Sequence, residues 1–320
     1  MLVLCLTVIS INFYILNVDS YNFSKETCQD DLNKLLTELL NPLNFIQGVD
    51  VYSDDLEYIL FTNNNPNEEI VINETTRHLI DPTIETKIFI SGWLEGYNIK
   101  WILEMRDIYL KKSRYNIIVF NWDQYSYMHY IFSTELCREL GKNLGDFISD
   151  LVITLELDLN KIHIIGHSLG AQIAGFTGQR VMKRLYRRIG RISALDAAGP
   201  IFNFNTESYR LDRNDANFVD AIHTNNFFFG YYGPCGTVDV FVNNGIFQEG
   251  CPTIYDIMRS MRCEDIHRFL FCSHSKSIEV WKRSINENLI GRHLVTGYPI
   301  VIGENVNLRS DGFYYLRINF

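Results

Sequence analysis

The sequence predicts an α/β fold with a mainly parallel central sheet and helices on both of its faces. Three observations carry this expectation. The 320 residues are 47% apolar and 21% charged, which suffices to bury a large core and is too apolar for a disordered chain. From residue 86 onward, short β-branched runs alternate with longer helical patterns, as βαβ units require. One of those runs passes straight into Gly166-His-Ser-Leu-Gly170 and then into a helical pattern. Composition narrows function as well, because 29 Lys plus Arg against 38 Asp plus Glu leave a net charge of −9. That balance speaks against binding nucleic acid, or anionic lipid, through bulk charge.

Residues 1–18 are an apolar run interrupted by Asn12, too short for a membrane span and better read as part of a signal peptide over 1–20. Val18 and Ser20 supply the small residues before the cut, so the mature chain is expected over 21–320, secreted and extracellular. Six cysteines then remain: Cys28, Cys137, Cys235, Cys251, Cys263 and Cys272. An even number in an oxidising compartment reads as disulfides, and zinc lacks a Cys-x-x-Cys pair and clustered His partners. Asn22-Phe-Ser and Asn73-Glu-Thr are glycosylation sequons suited to such a surface, and the Asn63 to Asn67 cluster reads as a surface turn.

Buried parallel strands are expected at Lys87 to Ser91, Asn116 to Trp122, Lys161 to Gly166 and Arg191 to Leu195. Between the second and third, Leu136, Leu140, Leu144, Phe147, Ile148, Leu151 and Val152 recur at intervals of three and four. They define one face of a helix over Thr134 to Leu155, with Thr134 as its N-cap. Lys183, Arg184, Arg187, Arg188 and Arg191 form a basic run near the end of the following helix, where cations are favourable and ordinary.

Chemistry concentrates at Ser168. A serine on a tight strand-to-helix turn needs small residues at both flanks, and Gly166 and Gly170 supply them. The turn also sets Ser168 by a helix N-terminus, where backbone N–H groups can hold a developing oxyanion. The base and the acid that orients it come after such a serine in the order Ser, Asp, His. Asp196 ends the apolar strand Ile192-Ser-Ala-Leu195, more cleanly than its rivals Asp212, Asp215, Asp220 and Asp239. Chain order excludes His78, His129, His163 and His167 as the base, and His223 lies in an apolar run that suits a satisfied core histidine. His274, in the cysteine-anchored segment Phe271-Cys-Ser-His-Ser, is preferred as a fixed but reachable loop residue, with His267 and His293 as rivals.

Gly166-His-Ser-Leu-Gly-Ala, Leu195-Asp-Ala-Ala-Gly-Pro, Asp220-Ala-Ile-His-Thr and Cys272-Ser-His together resemble the pancreatic lipase family, of the α/β-hydrolase superfamily. Gly236-Thr-Val-Asp, Asn243-Asn-Gly, Gln248-Glu-Gly-Cys and Asp311-Gly-Phe-Tyr-Tyr-Leu-Arg extend the likeness over nearly all the mature chain. It is similar to the insect neutral lipases and venom phospholipases A1 in having one catalytic domain. Since 46 residues come after His274, neither the C-terminal β-sandwich of vertebrate lipases nor colipase is expected.

The resemblance implies a lipid carboxylester hydrolase with Ser168 as nucleophile, Asp196 as orienter and His274 as base. Its oxyanion donors are the backbone N–H groups of Trp93 and Leu169, although Ser91-Gly-Trp93 stands where the family shows His-Gly-aromatic. Glu207, Arg210, Asp212 and Asp215 match the family's structural calcium site, two backbone carbonyls and two carboxylates. Cys251 with Cys272 closes a lid loop over residues 252–271 that carries Ile254, Ile257, Met258, Met261, Phe269, Leu270 and Phe271. Cys28 with Cys137, and Cys235 with Cys263, are the guesses for the rest. No cofactor is needed for the chemistry. Phospholipid leads as substrate, because the short connection from Thr224 to Gly236 resembles the phospholipase branch. A lipase for triacylglycerol or galactolipid, a silent lipid carrier like the yolk proteins and a protein-interaction role are the competing readings.

Overall fold

A computed structural model describes residues 50–226, 228–260 and 263–320, apart from the side chains of 254, 257, 260 and 263–267. The expected signal peptide, Asn22 and Cys28 lie outside the described residues. The strands are β1 Glu57–Phe61, β2 Ile70–Val71, β3 Thr86–Ile90, β4 Asn116–Asn121, β5 Ile162–His167, β6 Ile189–Leu195, β7 Ala216–His223, β8 Val238–Val242, β9 Leu289–His293, β10 Pro299–Ile302 and β11 Gly312–Leu316. The helices are α1 Lys100–Lys112, α2 Asp123–Ser126, α3 Tyr130–Leu155, α4 Leu169–Leu185, α5 Ile254–Ser260 and α6 Cys263–Asn286.

All the strands join one sheet, ordered β10-β9-β11-β8-β7-β6-β5-β3-β4-β1-β2. From β4 through to β11 the pairing is parallel. Antiparallel pairs flank it at either edge. Strand β5 shows why the centre is apolar on both faces: every residue in it is buried, with Ile164 in one core cluster and Ile165 in the other. Leu140 and Leu144 of α3 and Ile173 and Val181 of α4 complete the first cluster, while Trp101 and Tyr109 of α1 and Trp281 of α6 complete the second. The α3 and α4 axes approach closely because glycine faces the contact. A Cβ on Gly141 would lie 2.5 Å from the Phe176 Cβ, and one on Gly145 would lie 2.6 Å from the Arg180 Cβ.

The four expected strands are present within a residue or two of their predicted ends, and three other expectations need correction. First, α3 begins at Tyr130 rather than at Thr134. His129 Nδ1 accepts from the Ile131 N–H at the start, whereas the Thr134 hydroxyl donates to the Ile131 carbonyl and so cannot cap. Second, residues 252–271 are largely helical rather than a loop. Thr253 and Asp256 cap α5 reciprocally, the Thr253 N–H to Asp256 Oδ2 at 2.7 Å and the Asp256 N–H to Thr253 Oγ1 at 3.4 Å. No Gly or Pro interrupts residues 254–271. Met258 is exposed, Phe269 and Leu270 are buried, and the side chains of Ile254 and Ile257, with Met261, lie outside the described residues.

Third, Cys251 and Cys272 form a disulfide, but Cys137 and Cys235 are free and buried, which corrects the pairings Cys28–Cys137 and Cys235–Cys263. Cys137 faces the core from the middle of α3, where its thiol donates to the Ser133 carbonyl. Cys235 sits beside Asp239, and burial pushes both thiols far above their ordinary range. The basic run disperses as well. Arg184 pairs with Asp146 and Asp150, and Arg191 is a buried partner of Asp220. No described helix is long and apolar enough to cross a membrane.

Candidate active site

Strand β5 ends at His167 and α4 begins at Leu169, so Ser168 alone makes the turn between them, at φ 55° and ψ −119°. A serine held there stores roughly 1–3 kcal/mol of backbone strain. The flanking glycines tolerate it for a steric reason. A Cβ on Gly166 would lie 2.3 Å from the Gly170 carbonyl oxygen, and one on Gly170 would lie 2.3 Å from the Ile90 carbonyl oxygen in the neighbouring strand.

Asp196 comes directly after β6, the strand beside β5, at the same C-terminal edge of the sheet, and is fully buried. Its Oδ1 accepts from the Thr224 and Asn225 N–H groups at 2.8 and 3.2 Å, and its Oδ2 meets His274 Nδ1 at 2.6 Å. His274 lies in α6, two residues beyond Cys272, rather than in a loop as expected. The disulfide therefore fixes the turn of helix that carries it. Burial pushes the imidazole below its ordinary pKa of 6.5, and Asp196 opposes that shift only in part. The core histidine His223 and the rival acid Asp220 are engaged elsewhere. His223 is paired with Asp239 at 2.8 Å, and Asp220 is held by Arg191 and Ser193.

Ser168 and His274 line one cavity of about 200 Å³ with Trp93, Tyr130, Phe229 and Phe271. Phe271 stacks on Phe229 at 5.0 Å, so the last residue before the disulfide forms part of an aromatic wall. Among the described residues, Ser168 Oγ and the backbone N–H groups of Trp93 and Leu169 have no hydrogen-bond partner. Such an arrangement can receive an acyl carbonyl between a hydroxyl, a neutral imidazole and two free donors. Ser91, standing where the resemblance leads one to expect histidine, is well bound: it donates to the Glu95 carbonyl and accepts from Trp122 Nε1. The Trp93 indole donates to the Met128 carbonyl at 2.7 Å, and the Leu94 N–H to the Ser126 carbonyl at 3.0 Å. A wider groove of about 440 Å³ between α1 and α6 is lined by charged pairs such as Glu104 and Lys282 and carries no serine, threonine or cysteine.

Two residues that sequence reasoning passes over also stand here. Glu95 Oε2 accepts from the Gly92 N–H at 2.6 Å and meets His167 Nδ1 at 3.1 Å. Burial drives the two groups toward neutrality, but each outweighs that for the other, leaving Glu95 below and His167 above its ordinary value. The signal in the sequence is faint: Glu95 lies within three residues of Gly92, and chain order excludes His167 as a base without bearing on any other part it could play.

At the opposite end of α4, Gln179 Nε2 donates to the carbonyls of Glu207 and Arg210 at 3.4 and 3.2 Å, so both carbonyls face one point. Asp215 also meets Gln179, and burial raises its carboxyl to about 8. Asp212 Oδ2 lies 3.7 Å from the Arg210 guanidinium. Arg210 compensates the buried Asp215 carboxyl only in part, so two carbonyl and two carboxylate groups gathered here are the oxygen donors a hard cation takes.

A mainly parallel sheet with a serine on the strand-to-helix turn, an acid after the next strand and, later in the chain, a histidine paired with that acid defines an α/β-hydrolase. The family model described as Lipase matches residues 28–298. The chain is 33% identical to the pancreatic triacylglycerol lipase of Mus musculus over 243 residues, covering 71% of this chain and 51% of that one. It is 31% identical to Lipase member H of Oryctolagus cuniculus over 248 residues, covering 77% and 51%. The chain belongs to the pancreatic lipase family, and it spans about half the length of the curated relatives it matches. Among solved structures, brefeldin A esterase, titled a bacterial homologue of human hormone sensitive lipase, aligns at 13% identity with a TM-score of 0.30, over 58% of this chain and 56% of that one.

Proposed function

We propose that the protein is a secreted serine carboxylester hydrolase that cleaves acyl esters of lipids through an acyl-enzyme, with phospholipase A1 activity as its leading specificity. The observation that carries the reading is the buried Asp196–His274 pair facing the same aromatic cavity as Ser168. Ser168 Oγ attacks the ester carbonyl while His274 Nε2 takes its proton, and Asp196 holds Nδ1–H and stabilises the imidazolium. The oxyanion forms between the N–H groups of Trp93 and Leu169, each worth roughly 10²–10³ in rate. His274 then protonates the departing lyso-lipid or glyceride oxygen, and water repeats the sequence on the acyl-enzyme. The aromatic wall suits an acyl chain, and the short connection from Thr224 to Gly236 favours a polar head group. The apolar run at residues 1–18 and the Cys251–Cys272 bridge support secretion, with Asn22 and Asn73 as glycan acceptors.

The specificity is tested by measuring fatty-acid release from phosphatidylcholine vesicles and from a triacylglycerol emulsion in parallel, with Ser168→Ala as control. Serine-dependent release from the vesicles alone supports phospholipase A1, and release from both makes the protein a broad neutral lipase. No release from either moves the reading to a silent lipid carrier.

His274 must be neutral to accept the proton, and burial lowers its pKa from 6.5, so kcat/KM should hold below pH 6.5 before falling as acid protonates it. An acid limb with its midpoint above pH 7 contradicts this environment. Calcium, held by the Glu207 and Arg210 carbonyls with Asp212 and Asp215, would supply charge compensation and tie the segment after β6 to α4, with no part in the chemistry. Calcium should therefore raise the melting temperature relative to chelated protein by several degrees, and superimposable melting curves would remove the site.

A further inference from the structure

A carboxylate with 15% of its side chain exposed needs partners, and those of Glu95 come from three different elements. Its Oε2 accepts from the Gly92 N–H at 2.6 Å in the segment after β3, from Trp101 Nε1 at 3.3 Å in α1, and meets His167 Nδ1 at 3.1 Å at the end of β5. Two of these partners immediately precede the reacting groups: Gly92 comes before Trp93, and His167 before Ser168. The contact between the two segments is close. A Cβ on Gly92 would lie 3.0 Å from the Ser168 Cβ, 3.1 Å from Glu95 Oε2 and 3.1 Å from His167 Nδ1. The His167 ring also lies 4.7 Å from that of His274.

We propose that Glu95 is a positioning residue whose carboxylate, paired with His167, fastens the Gly92–Trp93 segment to the strand end that carries Ser168. The inference rests on the catalytic reading above, in which the Trp93 N–H receives the oxyanion. A backbone donor cannot be replaced by mutation, so its aim depends on whatever holds the peptide before it. Here that is one carboxylate oxygen shared by Gly92 and His167. A donor that drifts by a fraction of an ångström loses transition-state contact while the acyl chain still binds the aromatic wall. The expected signature of losing Glu95 is therefore a fall in kcat with KM preserved.

The experiment compares wild type, Glu95→Gln and His167→Ala with Ser168→Ala as the zero. Glu95→Gln keeps the shape but removes the charge that pairs with His167. It should lower kcat by roughly 10- to 100-fold, a part of the effect of deleting a whole donor, with KM within about threefold and little change in melting temperature. A phosphonate transition-state analogue should bind more weakly by the same factor as kcat. His167→Ala should show the same split and decides the matter if Glu95→Gln fails to fold. Variants with wild-type kcat, or with kcat, KM and melting temperature all degraded together, overturn the positioning role. A wild type with no Ser168-dependent release overturns the catalytic reading itself, which separates the two failures.

Discussion

Ser168→Ala is expected to lower the rate of fatty-acid release by roughly 10⁵- to 10⁶-fold while leaving the protein folded. The two expectations come from the same geometry. Ser168 Oγ has no hydrogen-bond partner among the described residues, so its removal breaks nothing in the fold, and alanine carries the same Cβ at the same positive φ. What disappears is the atom that attacks the carbonyl. The check is turnover alongside the melting temperature. A variant retaining more than about 1% of wild-type rate would place the nucleophile elsewhere.

Asp196→Asn is expected to lower kcat by about 10⁴-fold, with KM nearly unchanged. Both oxygens of Asp196 accept hydrogen bonds, Oδ1 from the Thr224 and Asn225 N–H groups and Oδ2 from His274 Nδ1–H. An asparagine offers a single acceptor oxygen. The two backbone donors hold that oxygen at the Oδ1 position, which turns the amide NH₂ toward His274 Nδ1. The imidazole then adopts the tautomer with its proton on Nε2 and cannot accept one from Ser168. Steady-state kinetics on one lipid substrate reads this directly. A loss below about tenfold would mean that Asp196 is a structural acid and not the orienter of the base.

Much of this architecture is legible in the residues because local pattern and global packing agree. The runs Asn116 to Trp122 and Lys161 to Gly166 are apolar without alternation because helices cover both faces of the sheet there. Ser168 is legible because sterics leave few residues able to flank such a turn, and the clashes awaiting a Cβ on Gly166 or Gly170 are severe. Asp196 is legible as the residue after the next strand. Where several local solutions compete, pattern is a weaker guide. Thr134 looks like a cap, yet His129 lies one turn earlier and the Thr134 hydroxyl is satisfied inside the helix. The resemblance implies a lid loop over residues 252–271, yet the Thr253–Asp256 capping pair starts a helix and Phe269 and Leu270 are core.

Long-range pairing is the least legible of all. Nothing local distinguishes Cys137, a core-facing helical thiol, from Cys272, which bridges to Cys251. Gln179 and Glu95 belong to no motif, and the partners that give them meaning, Glu207 and His167, lie 28 and 72 residues away. Such contacts depend on the assembled sheet rather than on any neighbouring residue.

The central claim is that Ser168 is a nucleophile activated by His274 and Asp196. An organophosphonate labels such a serine covalently and leaves an ordinary buried serine untouched. The purified protein should be incubated with a fluorophosphonate in the presence of lipid and its peptides mapped by mass spectrometry. One adduct is expected, on Ser168, absent from Ser168→Ala and greatly slowed in Asp196→Asn. An unlabelled Ser168, or a sole adduct on another residue, would contradict it.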